Sequence, residues 1–332
     1  MQTIGLVGLG LLGRGIAACL LAHNFRVIAL TAGEPHTFAR ARQYIQEAID
    51  ELIARAGFPA DLSSNWTHRF IEASSLQQFA PCDFVIESVY EDTSTKDAVF
   101  DQLEQIIGSA IPIASNTSAL PIARLQQNRE HPERLLGMHF AGPAYCTIFL
   151  EIVRGPLTSD ATTQAAIVLG RQLGKQPCVL NKDVPGFIAN RIAYAMYREA
   201  LNLLELGIAD AETIDLACLN SLPLWTSMCG PFRWIDITGG PALYAKAMSG
   251  VLPDLSNSSE LPNMLKKLSD EDACGTVNGR GFFTYQPGDD QIWDRRAREH
   301  AWTVNAASSE PATEVVPGVG LEPTLRSREK GF

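Results

Sequence analysis

The chain has little positive charge, no close cysteine pair and no long hydrophobic run, and each shortage excludes a class of function. Lysine and arginine number 27 against 37 acidic residues, which gives a formal net charge of −10. Such a chain lacks the positive field that attracts nucleic acid or anionic membranes, so any phosphate-bearing ligand must be held by local donors. No stretch approaches the roughly 18 uncharged apolar residues that a transmembrane helix needs.

The seven cysteines contain no CxxC pair, and several lie inside apolar stretches. This usage predicts reduced core thiols rather than a disulfide framework, and we expect no metal site. The first residues run directly into strand-like sequence without a basic segment. We therefore expect no signal peptide and a cytoplasmic location.

Short apolar runs alternate with helical patterns through the first half of the chain. The strand candidates are 3–9, 25–30, 83–88, 111–115, 134–140, 147–153 and 176–180, and the helical stretches are 11–22, 35–56, 94–107 and 160–173. This alternation predicts a doubly wound, mostly parallel α/β sheet with right-handed crossovers and helices on both faces.

The pattern becomes helical after residue 184, and it divides the chain into three parts. We assign 1–183 to a dinucleotide-binding domain, 184–302 to an all-α substrate and dimerisation domain, and 303–332 to a disordered tail rich in proline. Residues 187–207 carry apolar side chains at helical spacing, with alanines that allow close packing. Burial of this helix against a second subunit is favoured over burial within the monomer.

The segment GLVGLGLLGRGIA, residues 5–17, has the spacing of a dinucleotide-binding turn between a strand and a helix. Gly8 permits the tight turn, Gly10 allows the backbone to approach a pyrophosphate, and Gly13 allows close packing of helix on strand. The helix N-terminus then offers free N–H groups to the phosphates. The predicted cofactor-binding loop comprises Gly8, Leu9, Gly10, Leu11, Leu12 and Gly13.

The position that usually distinguishes NAD from NADP carries no acidic residue in this chain. An acidic residue normally ends the second strand and binds the adenine ribose. Thr31 stands at that place, with Glu34 as a substitute acid or Arg40 and Arg42 as receivers of a 2′-phosphate. The choice stays open, with NAD favoured.

The segment GMHFAGPAYCTIFLEIV, residues 137–153, places His139 between apolar runs and Glu151 twelve residues later. Taken alone, the pattern is more typical of a core histidine beside a surface glutamate than of a catalytic pair.

Several motifs together resemble the 3-hydroxyacyl-CoA dehydrogenase family, in its short two-domain form. They occur in family order from about residue 2 to about residue 286: GLVGLGLLGRGIA, FVIESVYED, SNTSALPI, GMHFAGPAY with LEIV, VPGFIANR, GPFRWIDITGG and NGRGFFTY. The resemblance implies an oxidoreductase of fatty acid metabolism that interconverts a 3-hydroxyacyl-CoA and its 3-oxoacyl-CoA with NAD. It also implies a homodimer.

The resemblance assigns roles to individual residues. His139 matches the family's general acid/base, and Glu151 matches the carboxylate that orients it. Ser118 matches a serine that contacts substrate and nicotinamide, although Ser118 could also cap the following helix. Asn190 matches an asparagine on the first helix of the second domain that reaches the substrate.

Glu91 and Lys96 have two interpretations, and the chain departs from the family pattern at two positions and along one helix. Glu91 and Lys96 match a glutamate and a lysine of the cofactor-side loop, or they form a solvated pair. Gly142 replaces an asparagine that touches the cofactor, and Val277 replaces a lysine. The CoA-contacting helix of the family is rich in lysine, whereas QYIQEAIDELIARAG offers mainly Arg55 for an acyl-CoA substrate.

Three hypotheses follow from these observations. The first is a 3-hydroxyacyl-CoA dehydrogenase, and the second is a dehydrogenase of a free 3-hydroxy acid, such as a sugar acid or a carnitine-like molecule. The third is a non-catalytic dinucleotide-binding protein, which would not need His139, Glu151, Ser118 and Asn190 together.

Overall fold

The computed structural model describes residues 1–31 and 36–308. Eight strands form one sheet in the order β3-β2-β1-β4-β5-β6-β7-β8. All neighbouring strands are parallel except β6 and β7. The strands are β1 (Thr3–Val7), β2 (Arg26–Leu30), β3 (Phe70–Glu72), β4 (Phe84–Glu87), β5 (Ile113–Ser115), β6 (Leu135–Phe140), β7 (Phe149–Val153) and β8 (Gln176–Leu180).

Helices connect the strands and continue beyond them. They are α1 (Leu11–Ala22), α2 (His36–Ala56), α3 (Leu62–Asn65), α4 (Thr93–Glu104), α5 (Ile122–Leu125), α6 (Asp160–Gln172), α7 (Ala189–Glu205), α8 (Ala211–Ser221), α9 (Pro223–Thr226), α10 (Pro231–Ile237), α11 (Gly240–Ser249), α12 (Asn263–Asp270) and α13 (Asp289–Ser308). The predicted Rossmann-type sheet followed by a helical region is confirmed. None of the helices in the described ranges is long and apolar enough to cross a membrane.

Two hydrophobic clusters pack on the two faces of the sheet. One includes side chains of α1, α2 and α6, with Ile16, Ile45 and Leu169 buried at 4% exposure or less. The other includes Phe100 of α4 and Ile122 of α5. Because both faces are covered, the central strands read as continuous apolar runs, which is why the sequence located them.

The sequence analysis missed strand β3. It has three residues and pairs with β2 through Val27–Phe70, Ile28–Ile71 and Ala29–Glu72. A run this short carries no periodicity of its own, and only its pairing with the exposed edge of β2 defines it as a strand.

The side chains of the helical region are less buried than those of the sheet. Among the described residues, helices α7–α12 contain no buried side chain in the single chain. Large apolar side chains on α7 are exposed, including Ile192 at 62% and Tyr194 at 58%. Apolar side chains exposed in this number are typical of a surface that another protein covers.

Helix α13 returns to the sheet domain. Ala301 and Trp302 pack against the cluster of α1 and α2. Glu51 of α2 accepts hydrogen bonds from Arg298 Nη1 at 3.2 Å, Trp302 Nε1 at 3.2 Å and Tyr145 Oη at 2.8 Å. Helix α13 continues to Ser308, past the boundary at residue 302 that the sequence analysis gave to the helical domain. The rest of the predicted disordered tail lies outside the described residues.

Candidate active site

The glycine-rich turn lies between β1 and α1, as its spacing predicts. Gly8 has φ +103°, and a Cβ there would collide with the carbonyl of Ser88. A Cβ on Gly13 would collide with the carbonyl of Gly8, so the helix can approach the strand only without a side chain. A Cβ on Gly10 would meet no atom within 4 Å. The turn is therefore closed on the protein side and open where a pyrophosphate would approach.

Thr31 and Arg42 lie at the adenosine end of this cofactor site. Thr31 directly follows β2, as predicted, and Glu34 lies outside the described residues. Arg42 pairs with Glu72 at the end of β3, and its guanidinium lies 5.4 Å from the centroid of the Phe70 ring. Arg42 thus already pairs with a carboxylate at this end of the site.

His139 and Glu151 are direct cross-strand partners. In the antiparallel ladder of β6 and β7 the two residues face each other, which places both side chains on one side of the sheet. The Nδ1 atom of His139 lies 2.7 Å from Oε2 of Glu151. Glu151 is fully buried, so it is not the surface glutamate of the plain interpretation. The imidazole retains 13% exposure and packs against the ring of Phe187.

Glu151 also binds the beginning of helix α7. Its Oε1 atom accepts the N–H groups of Ile188 at 2.9 Å and Ala189 at 3.0 Å. Burial acts to raise the pKa of Glu151, but the hydrogen bonds from His139 and from these two N–H groups outweigh burial and lower it. The carboxylate is therefore ionised at neutral pH, and it holds the proton of the imidazole on Nδ1.

Ser118 and Asn190 meet across the two parts of the chain. Asn190, in the first turn of α7, donates from Nδ2 to the backbone carbonyl of Ser118 at 3.0 Å. Helix α5 begins at Ile122 with Pro121 before it, so Ser118 is not its cap. Within the described residues, the structure gives the Ser118 hydroxyl no protein partner.

Glu91 contacts Ser118, and Lys96 contacts Glu91 from inside the fold. Oε1 of Glu91 accepts the backbone N–H of Ser118 at 2.8 Å, and 37% of the Glu91 side chain is exposed. Lys96 is completely buried, and its Nζ lies 2.7 Å from Oε1 of Glu87. The alternative of a solvated surface pair is therefore wrong.

Sequence reasoning missed two residues of this network, Asn116 and Glu87. The side chain of Asn116 accepts the N–H of Phe140 at 2.9 Å and donates to the hydroxyl of Ser88 at 3.1 Å. Asn116 thereby joins the ends of β4, β5 and β6 next to His139. Its position inside SNTSALPI was the only sequence signal, and that signal equally fitted a helix cap.

Arg55 is not brought to this site. It lies exposed in the last turn of α2, one helical turn after Glu51, which α13 covers. Val277 is exposed at 86% in the helical region. Gly142 lies close to Leu12 of the glycine-rich turn, where a Cβ would meet the Leu12 methyl groups at about van der Waals distance.

The chain matches two models of one family along most of its described length. A model described as "3-hydroxyacyl-CoA dehydrogenase, NAD binding domain" matches residues 3–184. The corresponding C-terminal domain model matches residues 186–285. The chain belongs to the 3-hydroxyacyl-CoA dehydrogenase family. The resemblance drawn from the sequence motifs is thus confirmed, and so are a nicotinamide-dependent oxidoreductase and NAD as its cofactor.

Members of this family with different substrates are similar to the chain. The 5-formyl-3-hydroxy-2-methylpyridine 4-carboxylate 5-dehydrogenase of Mesorhizobium japonicum is 32% identical over 86% of this chain and 92% of its own length. A probable 3-hydroxybutyryl-CoA dehydrogenase of Deinococcus radiodurans is 31% identical over 86% of this chain and all of its own length.

The solved structures of the family show the same two kinds of enzyme. A crystal structure of a 5-formyl-3-hydroxy-2-methylpyridine 4-carboxylic acid 5-dehydrogenase, described as an NAD⁺-dependent dismutase, gives a TM-score of 0.86 at 29% identity. It covers 93% of this chain and 99% of its own. The (S)-3-hydroxybutyryl-CoA dehydrogenase of Ralstonia eutropha gives 0.71 at 28% identity and covers 86% of this chain and 99% of its own. Family membership therefore establishes the reaction class and leaves the substrate to the structure of this chain.

Proposed function

We propose that this chain interconverts a hydroxyl and a carbonyl group on a small free acid, with NAD as cofactor and His139 as general acid/base. The observation that carries the chemistry is the 2.7 Å contact between His139 Nδ1 and the buried Glu151. Because Nδ1 donates to the carboxylate, Nε2 is the basic nitrogen, and no protein group in the described residues occupies it. A free ring nitrogen of an imidazole can accept the proton of a substrate hydroxyl, and it can return that proton when a carbonyl is reduced.

The residues around His139 fit the rest of this reaction. NAD, when bound, supplies or accepts the hydride at the substrate carbon. The Ser118 hydroxyl is exposed and without a protein partner in the described residues, so it can donate to the reacting oxygen and polarise a carbonyl. Asn190 holds the Ser118 carbonyl, and we place it beside the same oxygen.

The covering of helix α2 supports a free acid rather than a CoA thioester. The family resemblance assigns CoA to this helix, and Arg55 lies one turn after Glu51 on the same face. Helix α13 lies on that face, because Glu51 binds Arg298 and Trp302 of α13. A CoA chain that ran along this face to Arg55 would meet α13. The similar formyl-pyridine carboxylate dehydrogenase acts, by its name, on an acid that is not a thioester.

A 3-hydroxyacyl-CoA is the second candidate substrate. It is favoured by the exposed Arg55, which could still pair with a phosphate, and by similarity to 3-hydroxybutyryl-CoA dehydrogenases over their full length. If this candidate holds, Arg55→Ala raises the KM for a CoA ester and leaves that for a free acid unchanged.

The test is oxidation of NADH, and separately of NADPH, by the purified chain. The substrates are acetoacetyl-CoA, acetoacetate and a small aromatic aldehyde that carries a carboxylate. The proposal predicts turnover with a free acid, loss of that turnover in His139→Gln, and little turnover with the thioester. Turnover with the thioester alone would instead establish the second candidate. NADH binding without turnover of any carbonyl compound would contradict both.

We also propose that a second copy of the chain covers helix α7. Side chains on this helix leave a broad apolar surface exposed, and the family resemblance implies a homodimer. Two copies that bury such faces against each other would form a self-complementary interface of the kind that most homodimers use. Light scattering of the purified chain would test this, since a monomeric mass at micromolar concentration would contradict it.

A further inference from the structure

A network of buried charged side chains lies next to the loop that carries Ser118. It begins at Glu87, the last residue of β4, whose side chain is completely buried. The carboxylate of Glu87 accepts hydrogen bonds from Ser115 Oγ at 2.6 Å, Val89 N at 2.6 Å and Lys96 Nζ at 2.7 Å. The chemistry proposed above uses none of these groups.

Lys96 connects this buried carboxylate to a second one. Its Nζ lies 2.7 Å from Glu87 and 3.2 Å from Oε2 of Glu91, and the Lys96 side chain is 1% exposed. A buried ammonium is tolerated only when carboxylates compensate its charge. Because both groups that contact Nζ are carboxylates of the protein, the positive charge of Lys96 is compensated inside the fold.

Glu91 connects the buried ion pair to the backbone of the loop that carries Ser118. Its Oε1 accepts the Thr117 hydroxyl and the N–H groups of Ser118 at 2.8 Å and Ala119 at 3.1 Å. Burial acts to raise the pKa of Glu91, but the Thr117 hydroxyl, the Lys96 ammonium and the two N–H groups outweigh burial and lower it. The backbone of Ser118 is held on its N–H side by Glu91, and Asn190 holds its carbonyl.

We infer that Glu87 and Lys96 are positioning residues for Ser118, and that they act through Glu91. The ion pair of Glu87 and Lys96 fixes the carboxylate of Glu91, and that carboxylate fixes the backbone from which the Ser118 hydroxyl projects. The inference rests on the proposed role of Ser118 in turnover, and it does not depend on which carbonyl compound is the substrate.

A double-mutant cycle between Glu91 and Ser118 tests the inference. Glu91→Gln keeps an acceptor oxygen and removes the charge that Lys96 binds. In the otherwise native chain it should lower kcat, measured at saturating NADH, by about tenfold, because residues in one network couple strongly. In a Ser118→Ala background the same change should lower kcat less than about twofold. Equal losses in both backgrounds, or a fall in NADH affinity that accounts for the whole loss, would overturn the inference.

The buried pair needs its own variant, because loss of one charge alone endangers folding. The double variant Glu87→Gln with Lys96→Met removes both charges at similar volume and should reproduce the defect of Glu91→Gln. Asp97→Asn is the matched control, since Asp97 is the next residue on α4 but pairs with Arg124 and Arg129 instead. Its kcat should stay at the native value. A double variant that folds and turns over like the native chain would refute the role of Glu87 and Lys96.

Hydrogen exchange provides a readout that needs no substrate. The N–H groups of Ser118 and Ala119 donate to Glu91, so we expect their exchange to accelerate in Glu91→Gln and in the double variant but not in Asp97→Asn. Unchanged protection of this loop would overturn the inference. If no carbonyl compound is turned over, the proposed function fails, whereas the exchange result still decides whether these residues hold the loop.

Discussion

The two oxygens of Glu151 bind two different parts of the molecule. Oε2 lies 2.7 Å from His139 Nδ1 on the neighbouring strand, and Oε1 accepts the N–H groups of Ile188 and Ala189 where α7 begins. The same carboxylate therefore orients the imidazole and fixes the start of the helix that carries Asn190. A partly positive helix terminus and an imidazole proton both favour the ionised form of Glu151.

Replacement of His139 by glutamine should separate chemistry from binding. We expect kcat to fall by about 10²–10⁴-fold, because glutamine cannot exchange a proton near neutral pH. The dissociation constant of NADH, measured by fluorescence, should stay nearly unchanged, since the glycine-rich turn is untouched. A turnover number equal to that of the native chain would remove His139 from the mechanism.

Glu151→Gln should change how stability depends on pH. The pKa of Glu151 in the folded chain is below its ordinary value of 4.5, so its ionised form stabilises the folded state above about pH 4.5. This contribution is lost as the pH falls through the folded pKa. Urea unfolding of both proteins should therefore show a difference in unfolding free energy that is constant near neutral pH and shrinks below pH 4.5. A difference that is the same at pH 7 and at pH 4 would contradict the shift.

Trp302→Ala should loosen α13 from the sheet domain. Trp302 packs on the core cluster and donates to Glu51, so its loss should reduce the free energy of unfolding by about 1–3 kcal/mol. Trp293→Ala is a control on the same helix, because that ring is 53% exposed, and its effect should stay within about 0.5 kcal/mol. Equal effects of the two variants would mean that α13 does not depend on this contact.

Ile192→Glu should test the proposed contact between two copies. Ile192 is 62% exposed on α7, and a carboxylate at the centre of an apolar interface would lack compensation. We expect sedimentation to show a dimer for the native chain and a monomer for the variant. Leu157→Glu, at a residue that is 55% exposed on the sheet domain, should leave the dimer intact. Dissociation by both variants would point to general instability instead.

The turn and the sheet were readable from the sequence because local physics determines them. Gly8 needs a positive φ and Gly13 needs the absence of a side chain, and no other residue meets both demands at such spacing. Continuous apolar runs predicted strands that are covered on both faces of the sheet. Strand β3 and the return of α13 were not readable, because each depends on a partner distant in the chain.

The candidate site divides in the same way. The sequence by itself determined that a histidine, a glutamate, a serine and an asparagine stand in motifs of one family. The family resemblance paired His139 with Glu151, and the antiparallel register of β6 and β7 supplied the physical reason, which is that the two residues face each other across the strands. Only the tertiary structure decided that the ammonium of Lys96 contacts the carboxylates of Glu87 and Glu91, since a sequence does not show which carboxylates surround an ammonium. Residue types and local spacing fix what chemistry is possible, and long-range packing fixes which groups lie close enough to perform it.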